Sequence, residues 1–433
     1  MNVSIIGGGI TGLVTGYLLS HQGFKIDLFE REEELGGLAG PVAISGGFVE
    51  KAYHLTFKGD RNTLELIERV GLQDQFHWRQ AKLGIFHQGR IHDFSGIGDL
   101  LRFTPLSLLG RLRMGALVFY LSKIRDWKAL DSKAFAPWAR LIGGDQVYEG
   151  MWEPLLEKKF QERKEQIPVA WMWGKTHRRA NSRTNFKQEE FGFIEGSFRT
   201  LYNRLAEEIV WRGGEVHRGI PVTGVRFSGE RVEGIEYAGG SLETDVLVSA
   251  VPYPLFWNLV RGAKDQVKKR LPAIPRLEYL GAICLILSLK QSLTDVLWLN
   301  INDRDIPFVV AIEISNLIGR DQFGGNSIIY LASYLPSDSK MFGAAPESIF
   351  ETYSRSLKKV FPHYDTSLVT AYHLERHPFA DPIPSLNYSQ QLPPLKTSIE
   401  NLYLSDFTRV YPYDKGSDKS IEIANRISSL IGR

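Results

Sequence analysis

A strand, a glycine turn, a helix and a second strand ending on an acid, all within residues 3 to 30, predict an α/β fold built on a Rossmann-type dinucleotide-binding domain. A run of short strands over residues 215 to 252 and a strand-to-helix segment at the C-terminus add a second prediction. The nucleotide-binding domain is interleaved with a substrate domain of mixed sheet plus helices, not simply followed by it.

Val3-Ser4-Ile5-Ile6 reads as the first strand, and Gly7, Gly9 and Gly12 follow it. Gly7 permits the tight turn, Gly9 leaves no side chain between backbone and pyrophosphate, and Gly12 lets the helix lie close on the strand. Ile10 and Thr11 open that helix, whose unpaired N–H groups and positive dipole end face the phosphates, and the run ends at Gly23. Lys25 to Phe29 forms the second strand and delivers Glu30, placed to accept a hydrogen bond from a ribose 2′-hydroxyl and to repel a phosphate there. Up to this point NAD and FAD both remain open.

After Glu30 comes Arg31-Glu32-Glu33-Glu34-Leu35-Gly36-Gly37-Leu38, which adds a glycine pair behind the ribose acid. Here the chain resembles the flavin amine oxidase superfamily, with protoporphyrinogen oxidase and phytoene desaturase among its relatives. The resemblance implies FAD, a GR2-like nucleotide-binding domain, and Arg31, Gly36, Gly37 and Leu38 beside the cofactor. It also implies that the strands between residues 215 and 252 are a β-meander meeting adenine through the Val225 backbone, with Ala250 in Ser249-Ala250-Val251-Pro252 returning to the cofactor. At the C-terminus the family has a Gly-Asp pair after a strand, then a helix closing over the flavin. This chain keeps Asp406 but has Ser405 before it, and Gly416 and Ser417 lead into the final helix without the usual glycine after Ser420. Asp406 is then expected at the ribityl or pyrophosphate region, and the Gly416 turn at the flavin N1–C2=O edge. No cysteine stands in this segment, so the FAD is expected to be non-covalent.

Residues 1–95, 196–265 and 393–433 are assigned to the FAD-binding domain, and 96–195 and 266–392 to the substrate domain. The first substrate segment reads as mainly helical. The second reads as strands, including Phe308 to Ile314 and Ser327 to Tyr334, with a helix from Pro346 to Val360. A chain of 433 residues buries a large core and holds at least two domains.

With 43% hydrophobic and 23% charged residues and a net charge of +3, the composition is that of a globular protein without an acidic polymer as partner. The basic cluster from Lys175 to Arg183 reads as a solvated face in preference to a nucleic-acid site, with contact to a phosphorylated substrate as the alternative. A single cysteine, Cys284, excludes an intrachain disulfide and fits a reducing, cytoplasmic setting. No run of 18 uncharged apolar residues suggests a membrane span. Leu100 to Lys123 is apolar and basic at helical spacing; core packing is the expectation for it, with peripheral membrane contact as the alternative. No metal-ligand spacing stands out.

The reading is an FAD-dependent oxidoreductase that dehydrogenates a C–C, C–N or C–O bond of a small or medium-sized organic substrate by hydride transfer to flavin N5. No second glycine fingerprint for a nicotinamide is visible, so an external acceptor, oxygen or quinone, is expected. His54, in Tyr53-His54-Leu55-Thr56-Phe57, and Glu313, a lone charge in an apolar strand, are the catalytic candidates. Arg409 and Tyr411 are candidates for an anionic substrate. Two alternatives stay open: a non-redox flavoenzyme like UDP-galactopyranose mutase acting on a nucleotide sugar, and a protein that holds FAD without turnover.

Overall fold

The computed structural model describes residues 1–182, 189–271 and 277–432. Arg183 of the basic cluster lies outside the described residues. Five strands form a wholly parallel sheet in the order Leu402–Leu404, Val246–Ser249, Asn2–Ile6, Lys25–Phe29 and Glu215–His217. Ile5 stands between Val248 and Leu28 in this sheet, and all three side chains are fully buried. The near-continuous apolar runs follow from burial on both faces.

Helices Ile10–His21, Arg199–Trp211 and Ser417–Ile431 cover one face, packing Leu13, Leu205 and Ile427 onto Val3, Ile26 and Val248. The other face is covered by a three-stranded antiparallel meander of Val222–Ser228, Arg231–Tyr237 and Gly240–Glu243, through Val225, Val232 and Ile235. The meander is therefore narrower than the sequence reading. Glu215–His217 and Val246–Ser249 belong to the parallel sheet, where they pair with the distant strands Lys25–Phe29, Asn2–Ile6 and Leu402–Leu404.

A second, nine-stranded mixed sheet runs in the order Val369–Pro382, Tyr279–Leu289, Ser327–Leu335, Val310–Glu313, Val296–Ile301, Phe76–His87, Glu189–Ile194 and Thr56–Phe57, with Arg90–Asp93 hairpinned onto Phe76–His87. One face packs Ile283, Leu285 and Leu331 against Ile349, Tyr353 and Leu357 of helix Pro346–Val360. The opposite face presents Cys284, Ile312, Tyr330 and Tyr334 to the segment that follows the glycine pair, including Tyr53 and Phe57. Between Arg90–Asp93 and Glu189–Ile194 in sequence, helices Ile97–Arg102, Leu108–Lys123, Phe135–Gly143, Glu153–Phe160 and Val169–Ser182 form a helical subdomain centred on Leu117, Phe135, Tyr148 and Trp173. Among the described residues no helix is long and apolar enough to cross a membrane.

Candidate functional site

The glycine turn is built from the backbone outward. Gly7 has φ of +109°, and a Cβ there would lie 2.9 Å from Val251 Cγ1. Its N–H donates to Phe29 O at 2.8 Å, while Ala250 N–H donates to Ile6 O at 2.8 Å, closing the sheet edge on both sides. A Cβ on Gly12 would stand 2.0 Å from Gly7 O, which fixes how closely the helix lies on the turn.

Glu30 is buried, and both carboxylate oxygens are oriented by backbone. Oε2 accepts from Gly8 N–H at 2.7 Å and Oε1 from Glu32 N–H at 3.0 Å, leaving one lone pair on each. Gly36 N–H donates to Gly8 O at 2.9 Å, so the glycine pair lies directly on the first turn. Gly36 has φ of +121°, and a Cβ on it would collide with the Tyr202 ring at 2.5 Å. On the outer side the space is free: a Cβ on Gly9 would meet no atom within 4 Å, and Gly37 is exposed. Ile10, Thr11 and Leu38 are half-buried around the same opening, whereas Arg31 points outward and pairs with Glu32.

The final helix brings a second positive end to this edge of the sheet. Gln22 Nε2 donates to Ser428 Oγ at 2.9 Å, joining the C-terminal ends of helices Ile10–His21 and Ser417–Ile431. The two helices therefore run parallel, and their N-termini, at Gly9 and Gly416, open toward the same side.

Beside Gly416 lies a cavity of about 200 Å³ lined by Asp60, His177, Arg178, Tyr413 and Asp414 among others. Arg178 pairs with Asp60 at 2.7 Å, and its guanidinium lies 4.2 Å from the Phe57 ring centre. Deeper in, Lys175 pairs with Asp414, and Lys159 pairs with Asp381 at 2.5 Å. Burial alone would raise the Asp414 carboxyl, but Lys175 and Lys159 win and hold it at about 2; burial lowers Lys175 to about 8. Lys415 makes no ion pair among the described residues. Its ammonium donates to Ala380 O at 2.7 Å, stands 4.8 Å from the Tyr334 ring centre, and is shifted down by burial. Tyr334 and Tyr53 meet hydroxyl to hydroxyl at 3.2 Å.

His54 is half-buried against this cluster. Its Nδ1 lies 2.9 Å from Ala52 O, which can only accept, so the proton sits on Nδ1 and Nε2 keeps its lone pair. Burial, with Lys415 and Arg178 nearby, lowers its pKa to about 4, so the ring is neutral at physiological pH.

A family model described as flavin containing amine oxidoreductase matches residues 10–410. The chain belongs to that family. Its cofactor is FAD. A zeta-carotene desaturase of Synechocystis sp. is 24% identical over 178 residues, a match covering 36% of each chain, so the alignment spans about a third of that relative. A 15-cis-phytoene desaturase of Synechococcus elongatus is 22% identical over 395 residues, covering 84% of this chain and 81% of its own. Among solved structures, a reduced UDP-galactopyranose mutase superposes with a TM-score of 0.76 at 16% identity, covering 99% of this chain and 95% of that one. A putrescine oxidase bound to putrescine gives 0.72 at 13% identity, with 100% of each chain covered. At such identities the structural likeness shows the fold alone.

Within this flavoprotein fold, several sequence-stated candidates lie elsewhere than expected. Glu313 is 1% exposed and faces away from the cleft. Strand alternation puts Val310 and Ile312 toward Tyr53 and sends Ala311 and Glu313 to the opposite face. Its carboxylate there accepts from Leu293 and Thr294 N–H and from Ser327 Oγ, which makes it a turn brace. Tyr411 is buried in the helical subdomain, its hydroxyl on Asp131 and its ring between Trp127 and Tyr388. Arg409 donates to Pro393 O and holds the C-terminal loop.

Asp406 also turns inward. Oδ2 accepts from Tyr253 N–H at 2.8 Å and Tyr279 OH at 2.6 Å, and Oδ1 from Thr408 N–H at 2.9 Å. Burial raises its pKa to about 6. Lys159, Lys415, Asp381, Asp414 and Tyr334 were given no role from sequence, and Lys175 and Arg178, expected on a solvated basic face, are instead half-buried in pairs with Asp414 and Asp60. Only Lys415, inside the C-terminal motif, had a positional signal that could have found it.

One buried acid under the site has a pH consequence. Glu50 accepts from Phe198 N–H at 3.0 Å, and burial pushes its carboxyl from 4.5 up to about 7. Its folded pKa lies above its unfolded one, so its contribution to stability is complete below pH 4.5 and is lost as pH rises through about 7. Glu50→Gln keeps an acceptor for Phe198 and removes the ionisation. Thermal unfolding of this variant is expected to match the wild type at about pH 4 and exceed it at about pH 8, by at most about 3 kcal/mol.

Proposed function

We propose that the chain is an FAD-dependent dehydrogenase acting on a C–C, C–N or C–O bond of a small or medium-sized organic substrate, reoxidised by oxygen or a quinone. Two parallel helix N-termini that open on the same side of the sheet, one of them at the open glycine turn, carry this reading. When bound, FAD supplies the two-electron acceptor for hydride from the substrate carbon.

The chain's own residues then divide the remaining tasks. Glu30 takes the ribose hydroxyls with its free lone pairs, and the N–H groups of Ile10 and Thr11 take the pyrophosphate. Gly9, Gly36, Gly37 and Leu38 line the passage without obstructing it. Val225 and Ala250 meet the adenine side through backbone. The N–H groups at Gly416 and Ser417 would hold the flavin end of the cofactor and stabilise negative charge there. Asp406 acts at one remove by bracing Tyr253 and Thr408. His54, neutral with a bare Nε2, accepts a proton from the substrate or orients its donor.

Anaerobic titration of the FAD-loaded protein tests this. Loss of the oxidised flavin band with amines or desaturable rings, and its return with oxygen or a quinone, is the expected result. Turnover of a nucleotide sugar only after chemical prereduction would place the chain with mutase-type flavoenzymes instead. Absence of any redox cycling would leave a binding protein.

A further inference from the structure

The parallel sheet has a three-residue edge strand, Glu215–His217, which pairs with Lys25–Phe29 alone. Ile26, Leu28 and Val216 face the covering helices, so alternation turns Asp27, Phe29, Glu215 and His217 to the opposite face, where the meander packs. In the register, Asp27 stands opposite Glu215 and Phe29 opposite His217. The Phe29 and His217 rings stack at 4.3 Å with 18° between their planes, which fixes the imidazole. Its Nε2 then lies 3.5 Å from Asp27 Oδ1 and 3.7 Å from Glu215 Oε2, and one ligand atom from each of the three residues falls within 4.8 Å of the others. The three residues come from distant segments, so no local spacing marks them.

These groups meet without satisfying one another. His217 Nε2 is buried with no hydrogen-bond partner, and the Asp27 side chain is 7% exposed with no hydrogen bond to its carboxylate among the described residues. A buried carboxylate and a buried ring nitrogen left in this way cost free energy that a shared cation removes. Ligands held about 2.0–2.2 Å from a tetrahedral zinc ion lie about 3.3–3.6 Å apart. Both distances at Nε2 are close to that. One imidazole with two carboxylates suits a divalent transition metal and not magnesium or calcium, which take oxygen ligands. Glu215, whose side chain is 60% exposed, leaves the entry and a fourth position open to water. We propose that Asp27, Glu215 and His217 bind a divalent transition-metal ion of the zinc type, which clips the edge strand to the parallel sheet. The clip steadies the His217 carbonyl, which accepts from Glu30 N–H at 2.9 Å. The proposal is independent of the reaction assigned to the FAD site.

Equilibrium dialysis of the FAD-loaded protein, stripped with a chelator and then exposed to micromolar zinc, tests it, with bound metal counted by mass spectrometry. About one zinc per chain is expected, undisturbed by excess magnesium, with a higher unfolding temperature in zinc than in chelator. Glu215→Gln and His217→Gln are each expected to weaken zinc binding at least about tenfold and to lose the zinc-dependent rise in unfolding temperature. Because Glu215 is exposed, its glutamine variant should unfold like the wild type in chelator, which separates loss of a ligand from loss of the fold. His77→Gln and His373→Gln remove imidazoles that meet Glu195 and Glu375 elsewhere, and both should leave the stoichiometry unchanged. Failure of the wild type to hold zinc overturns the proposal. So does zinc that the Glu215 and His217 variants still hold, or that the His77 or His373 variant releases.

Discussion

Gly9→Val is expected to give a folded protein that cannot retain FAD. The backbone at Gly9 is extended, with φ of −73° and ψ of 173°, so any residue fits, and no protein atom lies within 4 Å of an added Cβ. The cost to the apoprotein is confined to the weaker N-cap, about 1 kcal/mol or less. The open side of Gly9 is where a pyrophosphate would approach the backbone, and an isopropyl group there would remove both the approach and the use of the helix N-terminus. A loss of at least about a hundredfold in Kd follows, about 2.7 kcal/mol. Gly12→Val behaves in the opposite way. Its Cβ would stand 2.0 Å from Gly7 O, a backbone atom that cannot move without opening the turn. Destabilisation of about 3 kcal/mol or more is expected, with no rescue by added FAD. Flavin absorbance after desalting, with thermal unfolding of the apoproteins, separates the two cases. A Gly9→Val protein that retains flavin would show that the cofactor does not cross this turn.

The contrast between these glycines also shows what a linear pattern can and cannot reveal. Gly7, Gly9, Gly12, Glu30 and the Gly36–Gly37 pair lie within 31 residues, and their geometry is set by local turns and one helix, so their order in the sequence specifies their arrangement. Helix Pro346–Val360 was equally legible from its apolar spacing, and its bounds agree with the structure. Phe76–His87 was not. Its partners are Glu189–Ile194 and Val296–Ile301, over a hundred residues distant, and those pairings draw residues 76–93 into the mixed sheet instead of the parallel one. Glu313 looked like a cleft residue because it is a charge among apolar neighbours. Such a pattern reports burial but not which face of the strand is buried against what, and here the acid braces a turn on the far side. The lysine–aspartate cluster was invisible for a similar reason, since Lys159, Lys175, Asp381 and Asp414 each meet their partner from a separate segment.

Lys415→Met is expected to lower the flavin midpoint potential by about 30 mV or more, equivalent to about 1.4 kcal/mol for two electrons. Lys415 directly precedes Gly416, the N-cap of the final helix, and its ammonium lies over the Tyr334 ring, beside the Tyr53 hydroxyl that meets Tyr334. Its acceptor is a backbone carbonyl, and no carboxylate pairs with it among the described residues. Burial depresses its pKa, and the Asp381 and Asp414 carboxylates offset only part of that shift. Methionine keeps the length and the contact with Tyr334 while removing the charge, which makes packing loss a small part of the outcome. Lys175→Met provides the comparison, because Lys175 is already matched by Asp414 and its removal should cost stability more than potential. Spectroelectrochemistry of both FAD-loaded variants, with the dissociation constant of FAD measured alongside, distinguishes the roles. An unchanged potential with a raised KM would assign the Lys415 ammonium to an anionic group on the substrate. A lower potential with slower flavin reduction would assign it to the cofactor, where a buried cation favours the electron-rich state.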